Sequence, residues 1–388
     1  MTKTSRSKAL AHRTLRVARR TAGRALRTAG VRPTGAPAPT PTDWKSRADQ
    51  LQLELEETQG QLKTARGALT AAETALQKKS AEVDAWRTRV KSPSFIREHH
   101  SWVDMGLHYR QDPSPAKARI GELNRKLWVH AFATSHGVPV PEIYAIGERP
   151  EDIRLGSLPE EFVVKSDGGT SSKAVLPLRR VGEDRYEWRG HTPYTELTTA
   201  EVIQHFQRVR GTGHSYGPVF AEAMLHGPDQ DRLPDDVKIY VAYGQVLQVL
   251  LRRPTLVDGR PVAQVRYVSE LGKDLGKVAL WQKSYAPIPV PSSLSQMVDI
   301  ARRISLALPM PLCRVDLYET LDGPVLGEIT RTPGAPHLYR PDHDEFMGRE
   351  WIKAEARLFE DMHHGRSGRP VWGPDATLDM IEDLPPFS

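Results

Sequence analysis

The sequence predicts an α+β body, with helices packed on antiparallel sheets, preceded by a long helix and a basic arm. Three observations predict it. Short alternating strands recur between residues 161 and 330, with helix-spaced segments among and after them. Ahead of them, apolar residues repeat every seven positions from Trp44 to about Val90. The first 42 residues hold ten Lys/Arg and no Asp or Glu.

The 388 residues are enough for one large or two medium domains with a substantial core. The formal net charge is +6, and removing the arm's ten cations leaves −4 for the rest. The body is therefore mildly acidic, which argues against a surface built to track nucleic acid. A single cysteine, Cys313, excludes an intramolecular disulfide and a cysteine-based zinc site, and its place in CRVDLY predicts a buried strand position. The longest apolar runs, such as VLQVLL at 246–251, are too short to span a bilayer. The N-terminus is basic but has no uninterrupted apolar stretch, so no signal peptide is expected. The expected location is cytoplasmic, with peripheral attachment at a membrane surface left open.

Residues 1–30 are rich in Arg and Ala. They read as a disordered solubilising arm, or as a helix formed against an anionic surface or polymer. VRPTGAPAPTPTD (31–43) is a Pro-rich linker. Over 44–92, Ala48, Leu55, Leu62, Leu69, Leu76 and Val83 keep a strict seven-residue period. Leu51, Thr58, Ala65, Ala72 and Lys79 fill the second seam position. This predicts a coiled coil that forms a parallel dimer or trimer; the alternative is one helix folded back on the body.

In the body, residues 118–137 have helix spacing and end at Gly137; 138–147 reads as an extended strand. EFVVKSDGGTSSKAVLPL (161–178) reads as strand, Gly-rich turn, strand. LTTAEVIQHFQRVR (197–210) is a helix with a Thr cap, and VFAEAML (219–225) is a strand entering a loop. Residues 236–254 are two strands turning near Tyr243–Gly244, and 293–308 is a helix. The hairpin CRVDLYETLDGPVLGEIT follows, then an amphipathic helix from Glu345. The adjacent pairs His99–His100 and His363–His364 read as surface residues.

Chemistry collects on these strands. Alternation puts Arg314, Asp316 and Tyr318 on one face and lets Asp316 face Glu328 across the hairpin. Two facing carboxylates repel unless a cation separates them, and hard oxygens suit Mg²⁺ carrying a nucleotide phosphate; an edge hairpin with solvated acids is the plainer alternative. Lys165 precedes Ser166-Asp167-Gly168-Gly169-Thr170-Ser171, where backbone N–H groups, hydroxyls and an ammonium can meet phosphate oxygens. The GxxxxGK[ST] pattern is absent, and such a stretch can equally be only a turn. Lys126, Glu222 and the alternating Asp236, Lys238 and Tyr240, with Arg252 closing the next strand, each pass singly as ordinary charge.

In order, Lys126…GVPVP, Lys165-x-x-Gly-Gly, Glu222-x-x-Leu225, Asp236-x-Lys238, Arg252, Asp316 and Glu328 resemble the ATP-grasp superfamily. Within it the TupA-like group of teichuronopeptide biosynthesis is most similar, through LPEEFVVKSDGG, DVKIYVAYGQ, RVDLYE and GEITRTPG over about 118–355. The resemblance implies an ATP-grasp fold, two α+β lobes clamping ATP. Residues 93–160 would open the body, 161–225 would form the small lobe with its phosphate loop, and 226–388 the lobe with the metal site. Lys126 and Lys165 would hold phosphates, while Gly168, Gly169 and Ser171 close over them. Glu222 would accept from the adenine amino group, and the Ala223 and Leu225 backbones would meet the ring edge. Asp236 would contact ribose. Asp316 and Glu328 would hold Mg²⁺, with Thr330 standing where many relatives carry Asn. Arg252 and Lys238 would neutralise the transferring phosphoryl group, and Arg331 would bind a substrate carboxylate. The implied activity is ATP- and Mg²⁺-dependent ligation of a carboxylate to an amine through an acyl phosphate, on a cell-surface polymer or peptide precursor. The rivals are a phosphotransferase of the same fold and a coiled-coil scaffold with a vestigial nucleotide site.

Overall fold

A computed structural model describes residues 41–111, 122–169, 173–190, 195–228, 233–257, 260–282, 285–334 and 337–377. The chain divides into two compact units, residues 1–87 and 88–388. The arm lies outside the described residues. Among the described residues of the first unit there is one helix, α1 (Pro41–Lys91), which starts three residues ahead of the heptad run. Its seam leucines are not covered: Leu51, Leu55, Leu62, Leu69 and Leu76 are 50–70% exposed.

The second unit opens with α2 (Phe95–Gln111) and, after a 3₁₀ turn at Glu122–Asn124, α3 (Lys126–Ser135). The single helix expected over 118–137 is thus shorter. Arg125 leaves the helical path to bridge with Gly168, and the helix begins only after it.

Six strands form the first sheet: β1 (Ile143–Gly147), β2 (Glu161–Gly169), β3 (Val175–Gly182), β4 (Arg185–Trp188), β5 (Thr195–Leu197) and β6 (Ser215–Ala223). Their order is β1-β6-β2-β3-β4-β5, and each pairing is antiparallel. α4 (Thr199–Gly211) is capped as read: the Thr198 hydroxyl accepts from Glu201 N–H, and Glu201 accepts in return from Thr198 N–H. Its Val202, Phe206 and Val209 join Phe162, Leu176 and Leu178 in that sheet's core.

The second sheet contains β7 (Asp236–Ala242), β8 (Gln245–Val257), β9 (Arg260–Val268), β10 (Cys313–Thr320) and β11 (Gly323–Thr330). Its order is β11-β10-β7-β8-β9, again antiparallel throughout. The β7–β8 turn falls at Tyr243 (φ 42°) and Gly244 (φ 87°), the left-handed pair a tight hairpin demands. On one face α5 (Leu294–Ala307) packs Met297, Ala301 and Ile304 against Ile239, Val315 and Leu317. On the other, Phe95 of α2 and Met347 and Trp351 of α6 (Pro341–His363) cover Tyr240, Leu250 and Tyr267.

That second face corrects the reading of His99. The side chain is buried, its ring 4.6 Å from His337 and stacked near Phe95, because α2 lays this flank against α6 and the loop after β11. Its neighbour His100 is exposed, as are His363 and His364. Cys313 is fully buried, and burial pushes its thiol up to about 12.

Candidate functional site

The segment from Glu122 through α3 packs on β2 of one sheet and β11 of the other, so it forms the seam between them. Its anchor is Asp167. Arg125 Nε donates to Asp167 Oδ2 at 2.8 Å, and Leu127 N–H donates to Oδ1 at 2.8 Å. Arg125 offers no side-chain cap to α3, so a carboxylate from β2 satisfies an orphan donor of its first turn. Both partners are buried. Neither residue was singled out from the sequence. The adjacent glycines drew attention, but the partner lies 42 residues away.

Pinning the start of α3 fixes Lys126. Its ammonium lies 4.0 Å from where a Cβ on Gly169 would sit; Gly168 and Gly169, read from the sequence as a turn, are the last residues of β2, paired with Tyr216 and Ser215 of β6. Among the described residues it makes no ion pair within 4 Å. Burial lowers its pKa, opposed in part by the charge of Glu328, while Lys165 lowers it further. Gly168 is required here by contact: a Cβ would fall 2.1–2.4 Å from the Tyr216 ring on β6. Ser171 lies outside the described residues.

Lys165 of β2 and Glu222 of β6 are diagonal neighbours, Glu222 lying opposite Val163 and Lys165 opposite Phe220, and they form an ion pair with Glu222 only 1% exposed. The second carboxylate oxygen, Oε2, has no hydrogen-bond partner and lies 3.8 Å from His130 Nε2 of α3. Both His130 ring nitrogens are buried and unbonded. Burial, then Lys165 and Lys126, push the His130 pKa down to about 3, so the ring is neutral beside this pair. Ala223 donates its N–H to Glu142 O at 2.8 Å, and Leu225 lies just beyond the end of β6.

On the second sheet the hairpin has the predicted register: Asp316 is opposite Glu328 on β11 and opposite Lys238 on β7. The two acids have different surroundings. Asp316 is 3% exposed and accepts from Arg314 Nε (2.6 Å), Arg314 Nη2 (2.7 Å) and Lys238 Nζ (2.5 Å). Burial raises its pKa, but Arg314 and Lys238 overcome that and hold it below the usual carboxylate range. Glu328 is exposed and makes no ion pair with any described residue. Thr330 Oγ1 accepts from Arg314 Nη2 at 3.0 Å. Arg314 thus holds two members of the site, Asp316 and Thr330. Its alternation with Asp316 was visible in the sequence, but no role was assigned to it there.

Asp236 sits on the same face of β7, bonded to Arg252 (2.8 Å), near Lys238 (3.6 Å) and hydrogen-bonded to the Tyr318 hydroxyl. Asp236, Lys238 and Arg252 are therefore gathered with Asp316. Arg331 is buried after β11, its guanidinium 3.8 Å from where a Cβ on Gly106 of α2 would be.

A divalent cation fits this donor set. Mg²⁺ takes one or two carboxylates and completes its shell with substrate phosphates and water. Asp316 and Glu328 supply two facing carboxylates, and among the described residues no cluster of three or more metal-ligating side chains occurs. The donor set there is thus the two-carboxylate kind that Mg²⁺ takes when phosphate and water complete its shell.

The family model for TupA-like ATP-grasp proteins matches residues 120–352. That is more than half of the chain, and the chain belongs to this family, whose ATP-grasp fold its two antiparallel sheets form. No curated protein matches the chain. Among solved structures it is similar to D-alanine–D-alanine ligase from Bacillus anthracis, at 15% identity, covering 63% of this chain and 71% of that one with a TM-score of 0.41. It is also similar to the ATP-grasp ligase PsnB, complexed with a phosphomimetic variant of its minimal precursor, Mg and ADP, at 17% identity and a TM-score of 0.36. That match covers 62% of this chain and 61% of PsnB. A RimK-domain ATP-grasp protein from Sphaerobacter thermophilus is 14% identical, with 61% and 69% covered and a TM-score of 0.37.

Proposed function

We propose that the protein is an ATP-dependent carboxylate–amine ligase. The observation that carries this is the pair of charges at the seam that make no ion pair within 4 Å among the described residues, Lys126 on α3 and Glu328 on β11, with the Lys165–Glu222 pair and the Arg314–Asp316–Lys238 group around them. A half-buried ammonium whose charge is only partly offset costs stability, and a phosphate between Lys126 and Lys165 adds the opposite charge. Gly168 and Gly169 let backbone approach that phosphate. Glu222, Ala223 and Leu225 line the adenine end, and Asp236 serves the ribose.

Asp316 and Glu328, with the Thr330 hydroxyl, would hold Mg²⁺, which when bound supplies positive charge to the phosphates. The substrate carboxylate oxygen attacks the γ-phosphorus and the bond to the β–γ bridging oxygen breaks, giving an acyl phosphate and ADP. An amine then attacks the acyl carbon, inorganic phosphate leaves, and the amine's proton passes to solvent. Arg314, Lys238 and Arg252 offset charge on the transferring group, and Arg331 orients a carboxylate. A cell-surface polymer or peptide precursor is the substrate class the family resemblance favours. In the test, purified protein is supplied with ATP, Mg²⁺ and paired carboxylate and amine libraries while ADP and phosphate are followed. ADP and phosphate should appear together only with both substrates, and Glu328→Gln should abolish release. Phosphate transferred to an acceptor hydroxyl, or function in vivo untouched by Lys165→Ala and Glu328→Ala, would overturn the ligase reading.

A further inference from the structure

The apolar seam of α1 has no partner among the described residues, and nothing in the proposed nucleotide site uses it. From Leu51 to Val83 its seam residues are 47% exposed or more where apolar and large, on a helix about 76 Å long at roughly 1.5 Å per residue. Most of a helix's stability in a protein comes from packing its apolar stripe, and the sequence period of this one, a strict seven, is that of a left-handed supercoil. A second copy presents the same stripe, so the question is direction.

We infer that α1 pairs with the α1 of a second copy as a parallel, in-register dimer. The flanking charges decide it. In a parallel pair each residue before a seam leucine faces the residue five later on its partner. Glu54 then meets Gln59, Gln61 meets Arg66, and Glu82 meets Arg87, with no like charges opposed. In the antiparallel pair of full overlap, Leu51 lies across from Val83. Glu54 then opposes Glu82 twice, and Arg66 opposes its own copy. Lys79 occupies a seam position, where a single polar residue sets register at some cost in stability. Its ammonium reaches out of the seam to Glu82 at 3.1 Å, which a dimer permits because each long side chain can keep its head in water. A trimer encloses that position more fully. Parallel pairing brings the two N-terminal arms, each with ten Lys/Arg within residues 1–42, to one end of the coil.

The inference is independent of the ligase reading, and its test does not use activity. Light scattering of the full chain should give about twice the 43.4 kDa chain mass. Cys313 is fully buried, so introduced thiols can be followed alone. Leu51→Cys should form a covalent dimer under mild oxidation. A mixture of Leu51→Cys with tagged Val83→Cys should give only the two homodimers. The double variant Leu62→Glu/Leu69→Glu should be monomeric with the melting of residues 88–388 unchanged, which separates lost pairing from lost folding. A monomeric or trimeric wild-type chain, or a covalent product joining position 51 to position 83, would overturn the inference.

Discussion

Lys126 and Asp167 stand 41 residues apart in sequence and at one corner of the fold, and they separate function from stability. Asp167 holds the buried Arg125 and the Leu127 N–H of the first turn of α3, so Asp167→Ala removes a buried carboxylate bonded to both. The loss should be about 3–5 kcal/mol, measured by urea unfolding. Lys126 is the opposite case. Its ammonium has no ion-pair partner among the described residues and burial already lowers its pKa. Lys126→Met should therefore leave apo stability unchanged or raise it by about 1 kcal/mol, while ATP affinity falls at least tenfold by calorimetry. A Lys126→Met protein that is destabilised yet binds ATP normally would make this lysine structural. The sequence singled out Lys126 and passed over Asp167, for a physical reason. A Lys ahead of GVPVP belongs to a motif order, whereas an aspartate's bond to a residue 42 positions earlier is a tertiary event with no local pattern.

At the scale of elements, local rules were legible and partners were not. The Thr198 cap, the Tyr243–Gly244 turn and the facing of Asp316 with Glu328 follow from spacing over a few residues, and the structure has all three. The insertion of β6 between β1 and β2 does not follow, because alternation tells which residues share a face and not which strand lies across. α2 was unread for the same reason: its buried flank is visible only against α6. That flank makes the fold sensitive to acid. Burial lowers His99 to about 4, with His337 and His100 adding to it, lowers His343 to about 4, and lowers His337 in the same region. With folded values below the ordinary 6.5, the unfolded chain binds protons between pH 6.5 and 4 that the folded chain refuses. Stability is therefore complete above pH 6.5 and falls as pH drops toward 4, by about 1.4 kcal/mol per unit of depression for each group. Unfolding midpoints measured at pH 7.5, 6, 5 and 4.5 should fall steadily, and His99→Leu should flatten the slope. An unchanged slope in that variant would place the acid sensitivity elsewhere.

Over the body as a whole, the proposed ligand contacts are divided between two sheets. Lys165, Gly168 and Glu222 belong to the six-stranded sheet, and Asp316, Glu328 and Lys238 to the five-stranded one, with Lys126 on the seam. The motif order along the chain is what groups these residues into one proposed site. It could not show that Asp316 is already satisfied by Arg314 and Lys238 while Glu328 makes no ion pair with any described residue, since that asymmetry arises from burial and cross-strand register. The asymmetry sets the order of binding energies. In the proposed site, nucleotide alone would meet Lys126 and Lys165 but bring more negative charge toward Glu328, whereas nucleotide with Mg²⁺ would meet both sides with the sign each requires. A ligand at a hundred times its Kd adds about 2.7 kcal/mol to the folded state. Thermal unfolding of the full chain should therefore show a small upward shift with ATP and a chelator, and a several-degree shift with ATP and Mg²⁺. Mg²⁺ alone should shift it little. Glu328→Gln should reverse that preference, raising the response to metal-free ATP and erasing the increment from Mg²⁺, because it removes the repulsion and the ligand together. Equal shifts with and without Mg²⁺ in the unsubstituted chain would mean that Asp316 and Glu328 hold no metal.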